Sequence, residues 1–439
     1  MRMDRYQTAM RVAFLAFYFP PDGGPGTQRP ASWVRHFRSF GLECTVFSRR
    51  IASEEARSRF EPRDDSLLPW IEGAEIERID WEGGDPDRPN RWEEALVERL
   101  AAVHARRPFD LVLGTAPPYR MSAVTRRAAE RLGLPYVIDL REPWALDGIR
   151  DFRSVFQQRK ALQAMRESLA PASGIIVQTE VARRVVGDFL GGPRSMEVVF
   201  NGFEPEDFAV EPRPKEAGEF RIVFTGQFIS REAVPPKGLR ERLRRAMSVR
   251  TVSIQPTGRS PLHLLNAIRL LCRSEPAFGR SIRFHFVGHA DPHTVELLDA
   301  SGLGDAVVRY GHRPHRECAA ITRSADALFL GLHGVSGDVP TMIIPGKAFE
   351  YLAAGRPILA AVPPGETRDL VLAHADAVAA DPVDDASIAR AITRIRDRDF
   401  DSRRPAGEAL DRFTRRELAR RTADFLRSIA GSRGSTMGP

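Results

Sequence analysis

Three short runs hold residue types at spacings that chemistry can use. The first, FYFPPDGGPGTQRP, begins at the end of the apolar run Val12–Phe19 and continues past it. Gly23, Gly24 and Gly26 permit a tight turn with open amide hydrogens. Thr27 is placed to cap the next helix, whose positive end would then face an anion such as a diphosphate. The spacing fits neither G-x-G-x-x-G nor a P-loop, so an ordinary strand-to-helix turn reads the run equally well. The second run, YVIDLREPWALDG, sets Asp139, Arg141, Glu142 and Trp144 around a strand ending at Leu140. A carboxylate there can act as a general base or hold hydroxyls, and a neighbouring arginine keeps it ionised or binds phosphate. The alternative is a structural salt-bridge cluster beside a packed tryptophan. The third run is TMIIPGKAFEYLAAGRPILA, Thr341–Ala360. Gly346 opens a helix that ends near Gly355, with Lys347 in its first turn and Glu350 at i+3 on the same face. A cation opposes the helix dipole there, which points to an anionic partner. A phosphate-binding lysine with a carboxylate for a ribose diol explains the pair; an i,i+3 salt bridge on a solvated face is the other reading.

The elements that must position these runs alternate along the chain. Val12–Phe19, Cys44–Phe47, Leu111–Gly114, Val137–Leu140, Ile175–Val177 and Glu197–Phe200 read as strands, with helical patterns over Arg29–Phe40, Arg91–Arg106, Tyr119–Leu132 and Phe152–Ala170 between them. Strand patterns resume at Arg221–Thr225, Arg283–Val287, Val307–Tyr310, Ala327–Gly331 and Pro357–Val362. Such alternation predicts α/β architecture, with parallel sheets covered on both faces and ligands beyond the carboxyl ends of the strands. The 439 residues exceed what one core usually organises, and the polar stretch Gly202–Gly218 is the natural linker between two domains. A long amphipathic pattern, Glu408–Ile429, follows, and the last residues, 431–439, read as a disordered tail.

Composition removes other classes. Hydrophobic residues at 42% and charged residues at 28% suit a globular chain. No apolar run is long enough to cross a membrane, and no apolar leader precedes the first strand, so no signal peptide is expected. Three scattered cysteines point to a reducing, cytoplasmic setting rather than a disulfide framework. No metal-ligand spacing occurs among the histidines. The net charge of +7 is concentrated between residues 229 and 256, where seven basic residues face two acidic ones. This basic insertion reads as a solvated helix, as a segment for anionic lipid, or as a nucleic-acid contact. The last is weakest, since no aromatics interleave with the arginines.

PGKAFEYLAAGRPILA, together with FYFPPDGGPGTQR and DLREPW, resembles bacterial family-4-like glycosyltransferases of the GT-B fold, over about Val12 to Ile429. The resemblance implies two Rossmann-like doubly wound domains facing across a cleft. Residues 1–205 form the acceptor-binding domain, with 408–430 crossing back to pack on it. Residues 219–404 form the nucleotide-sugar-binding domain, and 229–256 is an insertion. It implies a retaining transfer from a nucleoside-diphosphate sugar to a hydroxyl or amine, needing no metal or other cofactor. The acceptor would be a small molecule or lipid-linked, as in polysaccharide biosynthesis, with the inner membrane face as a possible anionic surface and no nucleic-acid partner.

The same resemblance assigns residues. Glu350 would bind the ribose, and Arg259, in the turn TGRSP, would neutralise the diphosphate with Lys347. Gly24, Gly226, Gly346 and His312 complete the donor-binding set, ordinary loop packing being the alternative for His312. Asp139, Arg141 and Glu142 would serve the acceptor. Two departures stand out. Met342 occupies the position of the family's first glutamate, and the insertion separates FTGQF from TGRSP, so the diphosphate site depends on whether that turn keeps its place. A nucleotide-sugar 2-epimerase and a catalytically weak nucleotide-sugar-binding or assembly protein are the alternatives.

Overall fold

The computed structural model describes residues 9–51, 63–147, 150–192, 194–234, 238–249, 254–335, 341–400 and 408–432. Lys237 and Arg250 of the insertion and residues 433–439 of the expected tail lie outside them. The chain divides into two compact units. One comprises the chain up to Leu146, Arg159–Asn201 and the segment from Arg415; the other comprises Asp147–Gln158 and Gly202–Thr414.

The first unit contains β1 (Met10–Ala16), α1 (Pro25–Phe37), β2 (Leu42–Ile51), β3 (Glu75–Trp81), α2 (Arg91–Arg106), β4 (Leu111–Ala116), α3 (Arg120–Leu132), β5 (Tyr136–Leu140), α4 (Val155–Leu169), β6 (Gly174–Val177), α5 (Glu180–Leu190) and β7 (Met196–Val198). The unit boundary at Gln158 falls inside α4. Its seven strands run parallel in the order β3-β2-β1-β4-β5-β6-β7. Because β1 lies between β2 and β4, the strand order reverses there, the position at which open α/β sheets place a ligand crevice. The glycine run leaves β1 at this switch point. Val12, Phe14, Trp33, Phe37, Leu111 and Val137 build the core.

The second unit follows the same plan. Its elements are β8 (Phe220–Thr225), α6 (Leu239–Met247), β9 (Ile254–Gln255), α7 (Leu262–Ser274), α8 (Pro276–Ser281), β10 (Ile282–Val287), α9 (Pro292–Asp299), β11 (Val307–Gly311), α10 (His315–Arg323), β12 (Ala327–Gly331), β13 (Gly334–Val335), α11 (Gly346–Ala354), β14 (Ile358–Ala361), α12 (Glu366–His374), β15 (Ala377–Ala380), α13 (Asp385–Asp397) and α14 (Glu408–Asp411). Six strands run parallel in the order β11-β10-β8-β12-β14-β15, so the switch point lies beside β8. The insertion adds α6 and the short β9, which pairs antiparallel with β13. Both units are Rossmann-like and doubly wound.

The amphipathic pattern expected over Glu408–Ile429 is broken. α14 stops at Asp411, and α15 (Arg415–Gly431) begins after a turn, in which Thr414 N–H donates to the Asp411 carbonyl at 3.0 Å. Gly431, expected in the tail, closes α15. Leu418, Ala419, Ala423 and Leu426 enter the core of the first unit, so this helix belongs to it. Arg415 donates to Gln28 at 2.6 Å, and Arg421 donates to the Val198 carbonyl at 3.0 Å. These contacts fix α15 beside α1 and the end of β7.

Candidate functional site

In the second unit, three pieces of chain meet where β8 ends. The strand gives way to Gly226, which holds φ at 100°, a region that side chains other than glycine seldom adopt. A Cβ at Gly226 would stand 3.3 Å from the Lys347 ammonium. Lys347 comes from the first turn of α11, whose N-cap is Pro345 and whose C-cap is the left-handed Gly355, a start and a stop that the sequence announces. Its Nζ lies 3.6 Å from the centre of the Phe224 ring. Tyr351, one turn on, is buried and accepts the Thr225 N–H at 3.1 Å, which ties α11 to β8.

Burial pushes the Lys347 ammonium down to about pKa 7; Arg259 acts in the same direction and Glu350 opposes them. Arg259 is therefore close enough to be felt by Lys347. The turn that carries it keeps its place despite the insertion, because the Ile229 N–H donates to the Arg259 carbonyl at 3.0 Å. Residues 229 and 259 therefore adjoin. His263 braces the turn, with Nδ1 2.6 Å from the Asp385 carboxylate and Nε2 3.0 Å from the Thr257 hydroxyl.

Gly258 shows how tightly the turn is seated. A Cβ there would lie 2.3 Å from the Leu332 carbonyl oxygen. Gly258→Ala is expected to cost about 1–3 kcal/mol of stability through overpacking. Urea unfolding of the variant measures this, and an unchanged midpoint would show that the turn can shift freely.

Glu350 is half-buried on α11, near enough to Cys318 to help raise that thiol's pKa. Gly346 is the first residue of α11. His312 is exposed just past β11, the edge strand, with β10 between it and β8. Met342 lies in the loop before α11.

In the first unit the acceptor candidates separate. Asp139 is fully buried, 2.9 Å from Arg29 Nη2, and accepts the Thr115 hydroxyl at 2.9 Å. Thr115 and Asp139 are register partners on β4 and β5, which explains that contact. Burial raises the Asp139 carboxyl, against the pull of Arg29, Arg141 and Thr115. The expectation that Asp139 meets an acceptor is thus corrected: both oxygens are engaged inside the unit. Arg141 is corrected likewise. Its guanidinium donates to the carbonyls of Gly26 (2.7 Å), Pro117 (2.8 Å) and Ala116 (3.3 Å), binding the glycine run to the end of β4.

Glu142 alone of the three is exposed, and it accepts the Tyr119 hydroxyl at 2.9 Å. Tyr119 stacks on Trp144 at 5.2 Å between ring centres. Trp144 holds φ at 50°, a conformation that a bulky residue adopts only when its surroundings impose it. Thr27 does not cap α1. Gly24, at φ 91°, is the N-cap, and the Thr27 hydroxyl sits within the first turn, 3.1 and 3.0 Å from the carbonyls of Gly23 and Gly24.

Sequence reasoning missed Arg29, Phe224, Tyr119 and the His263–Asp385 brace. Arg29 stands inside the glycine run, and Phe224 two residues before Gly226 on an inward-facing strand position, so both had a local signal. The His263–Asp385 contact joins residues 122 apart and had none. Among the described residues, no cluster of three or more His, Cys, Asp and Glu could hold a metal ion.

Two doubly wound units of this kind define the GT-B class of fold. Residues 23–202 match the glycosyl transferase 4-like domain, and residues 256–398 match glycosyl transferases group 1. The chain belongs to the family-4-like glycosyltransferases of the GT-B fold. None of the curated proteins matches it in sequence. Among solved structures, sucrose-phosphate synthase from Thermosynechococcus elongatus is similar at 15% identity and TM-score 0.58, covering 97% of this chain and 98% of that one. Anabaena HepE in complex with UDP and glucose is similar at 16% identity and TM-score 0.54, covering 98% and 99%. The N-terminal domain of Candida albicans trehalose-6-phosphate phosphatase shares 12% identity at TM-score 0.59, covering 98% of each. At these identities the likeness shows the fold.

Proposed function

We propose that this glycosyltransferase draws its sugar from a nucleoside-diphosphate donor bound by the second unit. The observation that carries the reading is the Lys347 ammonium, seated on the Phe224 ring beside Gly226 and felt by Arg259 at the start of α11. Two cations and the positive end of a helix converge where a departing diphosphate needs its charge stabilised. This set supplies the charge without calling on a metal ion. Glu350, one turn along α11, hydrogen-bonds the ribose diol. The Anabaena structure that holds UDP and glucose supports a uridine donor as the first to try.

The acceptor presents a hydroxyl or an amine, and Glu142, oriented by Tyr119, is the exposed carboxylate that receives it. Retention of anomeric configuration follows the family resemblance, although the donor-sugar contact of the family's first glutamate is replaced by Met342. We place the enzyme on the cytoplasmic face of a membrane, as a peripheral protein building a cell-surface glycan. Among the described residues no helix is long and apolar enough to span the bilayer.

A thermal-shift screen against UDP, GDP, dTDP and CDP sugars tests the donor, because a ligand that binds the native state raises its melting temperature. One nucleotide class is expected to stabilise the protein, and Glu350→Ala to weaken that donor by about 1.5–3 kcal/mol. Wild-type affinity in a folded Glu350→Ala protein would remove the ribose assignment. Conversion of the donor to its C2 epimer with no acceptor present would overturn sugar transfer in favour of epimerisation.

A further inference from the structure

Large apolar side chains in water are unusual enough to need a reason when they gather. Among the described residues, Phe156 is 78% exposed, Leu239 72%, Met247 64%, Leu243 50% and Val155 49%. These five, the most exposed, occupy the first turn of α4 and the helix α6 that the insertion contributes, while Ile229, Leu270 and Leu68, at 43%, 39% and 37%, stand elsewhere. A backbone bridge joins these places within the second unit, since Phe152 and Val249 exchange hydrogen bonds of 2.9 and 2.7 Å. Val155 and Phe156 follow closely after one bridge partner, and Met247 comes just before the other.

Both stretches are built to keep this face outward. Two side chains hold the start of α4: the Gln157 N–H donates to the Ser154 hydroxyl at 3.2 Å, and the Arg153 N–H to the Gln157 side-chain oxygen at 2.8 Å. The helix start is thereby set, and Phe156 projects into solvent from it. On α6, Leu239, Leu243 and Met247 recur at i, i+4 and i+8, forming one stripe. Arg240 and Arg242 beside the stripe are exposed, as is Arg153 at the start of α4. Residues 229–255 of the insertion lie outside both family-matched spans, 23–202 and 256–398.

We propose that the outer faces of α6 and the first turn of α4 form one docking surface for an anionic lipid bilayer. An apolar stripe flanked by arginines is the pattern of a helix lying in the headgroup region, with its apolar side among the acyl chains. The arginines are drawn by the negative surface potential of anionic lipids. Charge complementarity selects this occupant over a second copy of the chain, which would bring like-charged faces together. A nucleic acid offers no partner for the leucine and methionine stripe. The surface gives the peripheral location proposed above a physical site. It is independent of the donor chemistry, so either proposal can fail alone.

Flotation of the full chain with vesicles tests it. The protein is expected to float with phosphatidylcholine vesicles containing one-third phosphatidylglycerol, to stay in solution with phosphatidylcholine alone, and to lose binding as salt is raised. Phe156→Glu, and Leu243→Glu combined with Met247→Glu, are each expected to lower the partition coefficient by about tenfold or more. Phe156→Trp should retain it. All of these positions are exposed, so melting temperatures should not move. Undiminished flotation of both glutamate variants would overturn the proposal, as would equal binding to both vesicle types. A dimer in light scattering that Phe156→Glu dissolves would assign the surface to a second copy instead, and RNA binding lost in both variants without any vesicle binding would assign it to nucleic acid.

Discussion

Lys347→Ala is expected to lower kcat for sugar transfer by about 10²–10³-fold, the loss typical of removing one preorganised group that meets charge developing in the transition state. The ammonium stands over Phe224 and beside Gly226 at the start of α11, where the backbone amides point the same way. Water cannot replace it at equal strength, because a hydrated ion must reorganise as the diphosphate departs. Tyr351, which ties α11 to β8 through the Thr225 N–H, remains in place, so the variant should fold. Steady-state kinetics with the donor identified by thermal shift measure the effect. A variant within threefold of wild type would show that the diphosphate leaves elsewhere.

The second large effect concerns pH. Burial and Arg259 hold the Lys347 pKa near 7, below the ordinary 10.5. A diphosphate against the ammonium favours its charged form and raises that value again. Between the two values, the empty protein has mostly lost the proton and the complex has mostly regained it, so binding draws a proton from solution. Donor affinity should then fall by about tenfold per pH unit above pH 7. Stability of the empty protein runs the opposite way. The native state binds fewer protons than the unfolded chain between about pH 7 and 10.5, so this group makes unfolding harder as pH rises through that window. Calorimetry in buffers of different ionisation heat counts the proton directly. Uptake near zero at pH 8, or uptake that persists in Lys347→Ala, would contradict the assignment.

Part of this was legible along the chain. The strand runs and the helix over Gly346–Ala354 appear where apolar pattern, proline and glycine place them, because these signals act within a few residues. The strands Glu75–Trp81 and Ala377–Ala380 were not legible. The first carries four charged residues on an edge strand, and the second is a short alanine-rich run with Val378 as its one β-branched side chain. The break before Arg415 was hidden as well, since the amphipathic pattern continues through it while the chain turns between α14 and α15.

Asp139 marks the limit for sites. Its position near a strand's carboxyl end is local information, but its partner Arg29 arrives from 110 residues away and Thr115 from the adjacent strand. Together they convert a candidate acceptor group into a buried anchor. Glu142, three residues later, keeps the exposed place because Tyr119 and Trp144 hold it at the surface.

By itself, the sequence determined the alternation that makes two parallel sheets, the helix that presents Lys347 and Glu350, and the place where basic charge is concentrated. These depend on period, turn residues and composition. Tertiary structure alone decided which charges are buried, that Arg259 stays near Lys347 across the insertion, and that Phe156 and Met247 lie on two tied helices. Those outcomes turn on contacts between segments distant in the chain, and the cost of burying a charge depends on neighbours that no local pattern names.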